Sequence, residues 1–386
     1  MKIFSSQKNY NLPIYDYNLI WVTLLLLGIG LVMVYSSSID TAAASKPLNY
    51  QNYYYLVRQF IYIIIGFTFG YIVLQIPIYF WQKMAPYIFI LGLLLLILVL
   101  VPGIGKEVKG SQRWISLGIA NFQPSEFVKL ATIIYASDYV VRKSKQMRTI
   151  VKGFLPMLGV IVLTSFLLLL EPDFGALVVI TMIAMGILFL GGLSYKIFFS
   201  LMIFTPIIIF SLIIKSPYRL ERIKAFLNPW ADPFGGGYQT IHSLIAFGRG
   251  EYFGVGLGGS VQKQFYLPDA HTDFILAVIG EEFGLLGVTI VIGLFVYLVL
   301  RMFGIAKESI KNKKHFPALM AQGVALWFAF QGIINMGVNV NLLPTKGLTL
   351  PLLSFGGSSI LLNMLAIAIV LRIDHENRRN MRGQYY

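Results

Sequence analysis

The chain contains no cysteine, so disulfide bridges and thiolate-held metals are excluded at once. It is also poor in charge: 12% of its 386 residues are Asp, Glu, Lys or Arg, whereas 57% are hydrophobic. An ordinary soluble domain carries about a quarter of its residues charged, so that class is excluded too. Acidic residues are the scarcer sign, 17 against 31 Lys and Arg, for a formal net charge of +14. Such an excess can serve nucleic acid, but here the cations fall in short segments between apolar runs. That is the pattern of membrane topology and of anionic headgroups. Membrane lipids are therefore expected as partners, and nucleic acid is not. No internal repeat is visible, which argues against a proton-coupled solute carrier built from duplicated halves.

What is present is a series of apolar runs about 20 residues long. They predict an all-α polytopic membrane protein, a single integral domain over 1–386. About ten transmembrane helices are expected, at 17–36, 59–76, 87–101, 125–141, 153–170, 175–191, 197–214, 273–300, 318–338 and 351–371. The first run, Leu19 to Tyr35, is long for a signal peptide, although Ala42–Ala44 imitates a cleavage site, and it is read as retained. An even count puts both termini on one side. The Lys/Arg clusters at 142–152, 301–314 and 372–382 make that side cytoplasmic, with a tail at 372–386.

The opposite, outer face carries the unusual connections: Val101–Pro124, Glu171-Pro172-Asp173, 339–350, and Ser354–Ser359 at the start of the last span. Between helices 7 and 8 lies the long extracytoplasmic loop 215–272, far longer than a connector needs. Within it, Tyr218–Trp230 predicts an amphipathic helix at headgroup depth, and Tyr238–Phe247 an apolar piece too short to cross. Gly254–Gly259 follows no strand, so it reads as flexible rather than phosphate-binding.

Asp269, His271 and Asp273 sit where this loop meets the eighth apolar run. Ionisable groups at the lip of a membrane helix are costly, and by default they mark function. Asp273 is either a helix-start acid favoured by the dipole, worth about 0.3–1 kcal/mol, or a general base. Glu281 and Glu282 lie about 12 Å deeper along a helix and cannot both share its face; one is expected to pair structurally. Glu126 and Lys129, three apart, share a helix face. They are either a self-compensating pair or a buried cation that attracts phosphate or pyrophosphate to an outward cavity. Arg113-Trp114 either anchors the chain at the interface or adds a cation to that cavity. Asp138 and Arg142 read as an ordinary pair. An outward site built from Arg113, Glu126, Lys129 and Asp273 suits a lipid-linked anionic substrate, acted on by an enzyme or moved by a carrier.

The runs SQRWISLGIANFQPSEFVKL (111–130), EPDFG (171–175), YRLERIKAFLNPW (218–230), GYQTIHSLIAFGRG (237–250), YLPDAHTDFILAVIGEEFG (266–284) and LPLLSFGGSS (350–359) resemble the SEDS family of bacterial cell-wall proteins. The resemblance extends from the first span to the last. Residues 335–359 are similar to its division branch, FtsW, more than to its elongation branch, RodA.

The resemblance implies a peptidoglycan glycosyltransferase of the bacterial cytoplasmic (inner) membrane that polymerises lipid II at the division septum. It also implies a class B penicillin-binding transpeptidase and other divisome proteins as partners. A divalent cation, Mg²⁺ or Mn²⁺, could assist. By match to the family's HTDF motif, Asp273 is the essential carboxylate, read as general base. By match to the RW and QPSE-x-x-K motifs, Arg113 and Lys129 handle substrate; Glu126, Arg222 and His271 complete the expected substrate-binding set. Two positions depart from many relatives: Asp269 replaces a Glu, and Phe355 replaces a Tyr and so removes a hydroxyl. The rival expectation is a lipid II flippase, for which Glu126, Lys129, Glu281 and Glu282 offer part of an internal polar path.

Overall fold

A computed structural model of the chain describes residues 15–46, 50–108, 110–116, 118, 121–200, 203, 214 and 217–381. The first half contains α1 (Tyr17–Ala43), α2 (Tyr54–Gln75), α3 (Ile78–Leu100), α4 (Pro124–Arg142), α5 (Leu155–Leu170) and α6 (Phe174–Leu190). The second contains α7 (Pro217–Leu227), α8 (Tyr238–Gly250), α9 (Ile275–Lys311), α10 (His315–Asn339) and α11 (Gly357–Met381). Most of the expected span 197–214 lies outside the described residues, as do residues 1–14 and 382–386 of the two ends.

Among the described residues, seven helical segments are long and apolar enough to cross a membrane: α1, α2, α3, Ile150–Leu170, α9, α10 and α11. The chain is a multi-pass α-helical membrane protein. α4 differs from these, since it carries Glu126, Lys129, Asp138 and Arg142, yet nearly all of it is buried. It packs against α3, α6, α10 and α11, so protein rather than lipid surrounds it. That is how a polar helix is kept at membrane depth.

At one end of the bundle Asp16 caps α1 by accepting the Leu19 N–H at 2.9 Å, and it pairs with Arg301 and Arg378. The Tyr15 and His375 rings lie 5.1 Å apart on the same face. The first and last described residues therefore lie on one side, as expected. Within the tail expected at 372–386 the helix continues as far as Met381, and Arg372, Asp374, Asn377 and Arg378 are buried.

At the opposite end the chain departs from all-α. The α3–α4 connection forms a three-stranded antiparallel sheet of β1 (Gly105–Val108), β2 (Ser111–Ser116) and β3 (Asn121–Phe122), in the order β1-β2-β3. The loop 215–272 holds α7, near the amphipathic helix expected at Tyr218–Trp230, and α8, which covers the apolar piece at Tyr238–Phe247.

The largest correction concerns the eighth span. Asp273 does not begin a helix: residues 269–274 form a turn, α9 starts at Ile275, and Gly284 (φ +65, ψ −161) breaks it. A stub, 275–283, mostly buried, thus precedes the long stretch 285–311. Only glycine fits the break. A Cβ on Gly284 would lie 2.5 Å from Gly254 N, and one on Gly254 (φ +79) would lie 2.2 Å from the Glu282 carbonyl oxygen.

Glu281 and Glu282 tie this stub to its surroundings. Glu281 accepts from Ser260 Oγ, from the N–H groups of Val261 and Gln262, and from Arg249 at 2.8 Å. Glu282 pairs with Lys263 at 2.7 Å and accepts from Ser36 Oγ on α1. One structural pair was expected here; both carboxylates are structural.

Candidate active site: a cation-lined cavity opposite the chain ends

A cavity of about 720 Å³ opens between α2, the small sheet, the start of α6, α7, the turn 269–274 and the segment 345–359. Ser358 lies on its wall, 20 residues along α11 from Arg378 at the other end, so the two sites are about 30 Å apart at 1.5 Å per residue. Arg58, Arg113, Arg222 and Lys346 line it together with Asp173, Asp269 and Asp273.

The turn that carries Asp273 is built on one carbonyl. Asp269, at φ +55, accepts the N–H groups of Thr272, Asp273 and Phe274 at 3.1, 3.1 and 3.3 Å. Asp tolerates this left-handed conformation better than most residues. α9 has no acid in its first turn, and its N-cap, Phe274, makes no side-chain cap. Asp273 is therefore not a helix-start acid. Its carboxylate faces the backbone of 345–349, where a Cβ on Gly347 would come 3.3 Å from Asp273 Oδ2.

The sheet and α7 each anchor one of the cations to backbone carbonyls. Arg113, on β2, donates Nε to the Glu171 carbonyl at 3.4 Å and a terminal nitrogen to the Pro172 carbonyl. Arg222, on α7, donates to the Thr345 carbonyl at 2.9 Å. The Glu171 carboxyl beside Arg113 is buried, and neither of its oxygens has a hydrogen-bond partner. Burial, helped by the charge of Asp173 and opposed by Arg113, pushes it up to about 9. At neutral pH it is an uncharged acid, and so it does not cancel the guanidinium next to it. Asp173 caps α6 at Ala176 N (3.1 Å) and accepts from Ser125 Oγ at 3.0 Å.

Glu126, Lys129 and His271 are not on the cavity wall. Lys129 is fully buried, with Nζ 2.6 Å from Glu126 Oε1 and 2.7 Å from Gln331 Oε1. This is the self-compensating pair, and it corrects the expectation that Lys129 and Glu126 touch substrate. The His271 ring lies 4.5 Å from Tyr55 and 5.8 Å from Phe355, and its carbonyl accepts the Phe355 N–H. Phe355 meets Tyr55 edge-on at 5.0 Å, a packing contact that needs no hydroxyl.

Two lining cations were not singled out from the sequence. Arg58 stacks over Tyr54 at 4.7 Å, and Lys346 lies over the Phe174 ring at 4.3 Å. In the sequence each cation stands among aromatic or apolar neighbours, and that is the local signal.

The family described as "Cell cycle protein", that of FtsW, RodA and SpoVE, matches residues 17–379. A protein of Aromatoleum aromaticum named probable peptidoglycan glycosyltransferase FtsW is 54% identical over 95% of this chain and 89% of its own length. A protein of the same name from Nitrosomonas europaea is 51% identical over 98% of both chains. Among solved structures, a chain described under "Structural coordination of polymerization and crosslinking by a peptidoglycan synthase complex" superposes with a TM-score of 0.74 at 27% identity, covering 94% of this chain and 98% of that one. The rod shape determining protein RodA of Thermus thermophilus superposes at 0.67 with 25% identity, over 96% and 98%. The chain belongs to the FtsW/RodA/SpoVE family of cell cycle proteins.

Proposed function

We propose that this chain is a peptidoglycan glycosyltransferase of the division branch, which polymerises lipid II into glycan strands for the septal wall. The observation that carries the reading is one cavity in which Asp273 shares walls with Arg58, Arg113, Arg222 and Lys346. Its volume suits a sugar and a pyrophosphate rather than a whole lipid-linked precursor.

Asp273 takes the proton from the acceptor sugar hydroxyl. That oxygen then bonds to the anomeric carbon of the donor, with inversion. The bond from this carbon to the pyrophosphate oxygen breaks, and the electron pair leaves with the pyrophosphate. Fixed cations near the leaving group stabilise the charge that develops there. Proton abstraction of this kind is worth about 10²–10⁴-fold. Lys129 serves the floor of the cavity through Gln331, whose Nε2 donates to the Thr349 carbonyl at 2.8 Å.

Among the described residues no group of three or more His, Asp or Glu could hold a metal. A divalent cation would accompany the substrate and help neutralise its pyrophosphate. By the charge rule the face with Asp16 and Arg378 is cytoplasmic and the cavity faces outward. A penicillin-binding transpeptidase would supply the crosslinking. The carboxylates that a lipid II carrier would need along an internal path are engaged in local pairs: Glu126–Lys129, Glu281–Arg249 and Glu282–Lys263.

The test uses purified protein with its transpeptidase partner, labelled lipid II and a divalent cation. Wild type should form glycan chains, and Asp273→Asn should lose at least about 10²-fold in rate. Undiminished polymerisation by the variant would remove Asp273 from the mechanism. Transbilayer movement without chains from either protein would favour the carrier.

A further inference from the structure

Three buried amides stand along α10 at Gln331, Asn335 and Asn339. Spaced four apart, they occupy one side of the helix over about 12 Å. Each of them makes at least one hydrogen bond that leaves the helix for main chain beside the cavity. Asn339 accepts the Ala277 N–H of the stub at 3.1 Å and donates to the Asp273 carbonyl at 2.9 Å. Gln331 donates to the Thr349 carbonyl and receives Lys129 and Trp327 Nε1, each at 2.7 Å. Asn335 lies between them and does both: its Nδ2 donates to the Asp273 carbonyl at 2.8 Å and to the Leu348 carbonyl at 2.6 Å.

The two carbonyls held by Asn335 belong to the two halves of the proposed chemistry. Asp273 carries the carboxylate. Leu348 lies in the segment that carries Lys346, bonds Arg222 through Thr345, and packs Gly347 against Asp273 Oδ2. A leucine would fill the same volume in an apolar bundle, and a buried amide is costly unless both its donors and its acceptor are used. The Asn335 Oδ1 accepts from Asn339 Nδ2 at 3.4 Å on the same helix, and an amide whose donor nitrogen bridges two loops sets a distance between them.

We infer that Asn335 is a positioning residue for the glycosyl transfer, fixing the spacing between the Asp273 carboxylate and the cation-bearing segment 345–349. This rests on the reading of Asp273 as the base. A displacement of about 1 Å at such a spacing costs on the order of 10²-fold in rate. It does so without removing any group that binds substrate.

The experiment measures initial rates of lipid II consumption by the complex with its transpeptidase, over a range of lipid II concentrations. Wild type, Asn335→Leu and Asn335→Ser are compared, with Asp273→Asn alongside. Asn335→Leu should lower kcat about 10²-fold with KM within about threefold of wild type. Asn335→Ser keeps one hydroxyl donor and should recover part of the loss. A raised KM at unchanged kcat, or full activity in Asn335→Leu, overturns the inference. If Asn335→Leu does not fold, Asn335→Ser decides alone: a kcat deficit at constant KM supports the assignment, and its absence overturns it. Normal polymerisation by Asp273→Asn is a separate outcome, which sinks the base reading itself.

Discussion

The two ends of the bundle treat charge in opposite ways. At the face that holds Asp16, this carboxylate pairs with Arg301 and Arg378, and Arg378 also reaches Asp374 at 2.7 Å, so that carboxylate answers guanidinium. At the cavity, Arg113 is held instead by the carbonyls of Glu171 and Pro172. The acid beside Arg113 is kept neutral by burial. A guanidinium answered by a carboxylate contributes to architecture. One that is oriented by a carbonyl keeps its charge for an incoming anion. The acceptor of a cation, more than its depth in the membrane, separates structure from binding, and by that criterion Lys129 belongs with the closed end.

That division can be broken in three ways. The largest effect should come from Lys129→Met, which leaves the Glu126 carboxylate buried and unanswered at a cost of about 3–5 kcal/mol. Thermal unfolding in detergent should show it, and Lys129→Met combined with Glu126→Gln should recover most of the loss. A Lys129→Met protein of normal stability but weak affinity for lipid II would move Lys129 to the binding class.

The next test makes one substitution at both ends. Arg113→Lys keeps the charge but loses the fork that spans two carbonyls, so KM for lipid II should rise about tenfold, or roughly 1.4 kcal/mol, at little cost in stability. Arg301→Lys should lower the unfolding temperature and leave KM alone. Equal effects of both variants on both quantities would erase the distinction.

The smallest effect concerns Glu171. Its folded value near 9 lies above the ordinary 4.5, so between these pH values folding takes up a proton and stability falls as pH rises. Glu171→Gln should flatten the fall in unfolding temperature between about pH 5 and 9. An unchanged slope would show that Glu171 is ionised in the folded protein.

The long helices and their burial followed from the apolar runs, and of the set Arg113, Glu126, Lys129 and Asp273 only Arg113 and Asp273 line the cavity, together with Arg222. The parts that could not be read share a physical cause. The sheet at 105–122 rests on pairing between short strands separated by turns, which leaves little periodicity in so polar a stretch. The break at Gly284 is invisible because a glycine within an apolar run reads as a tolerated helix residue until another backbone is seen crossing it. Lys129 was placed near substrate because its partner Gln331 lies far along the chain, whereas Glu126 on the same helix was legible. Asn335 and Asn339 went unremarked: amides in an apolar helix disclose a role only when the loops they hold are known.

Where Gly284 meets Gly254, main chain rests on main chain with no side chain between them to deform. Such a joint passes movement on instead of absorbing it. Pressure on residues 251–254 must shift the stub 275–283, and the turn bearing Asp273 is its immediate continuation. A single methyl group at either glycine would wedge the joint apart, so the reach of the carboxylate is set as much by two absent side chains as by any that are present.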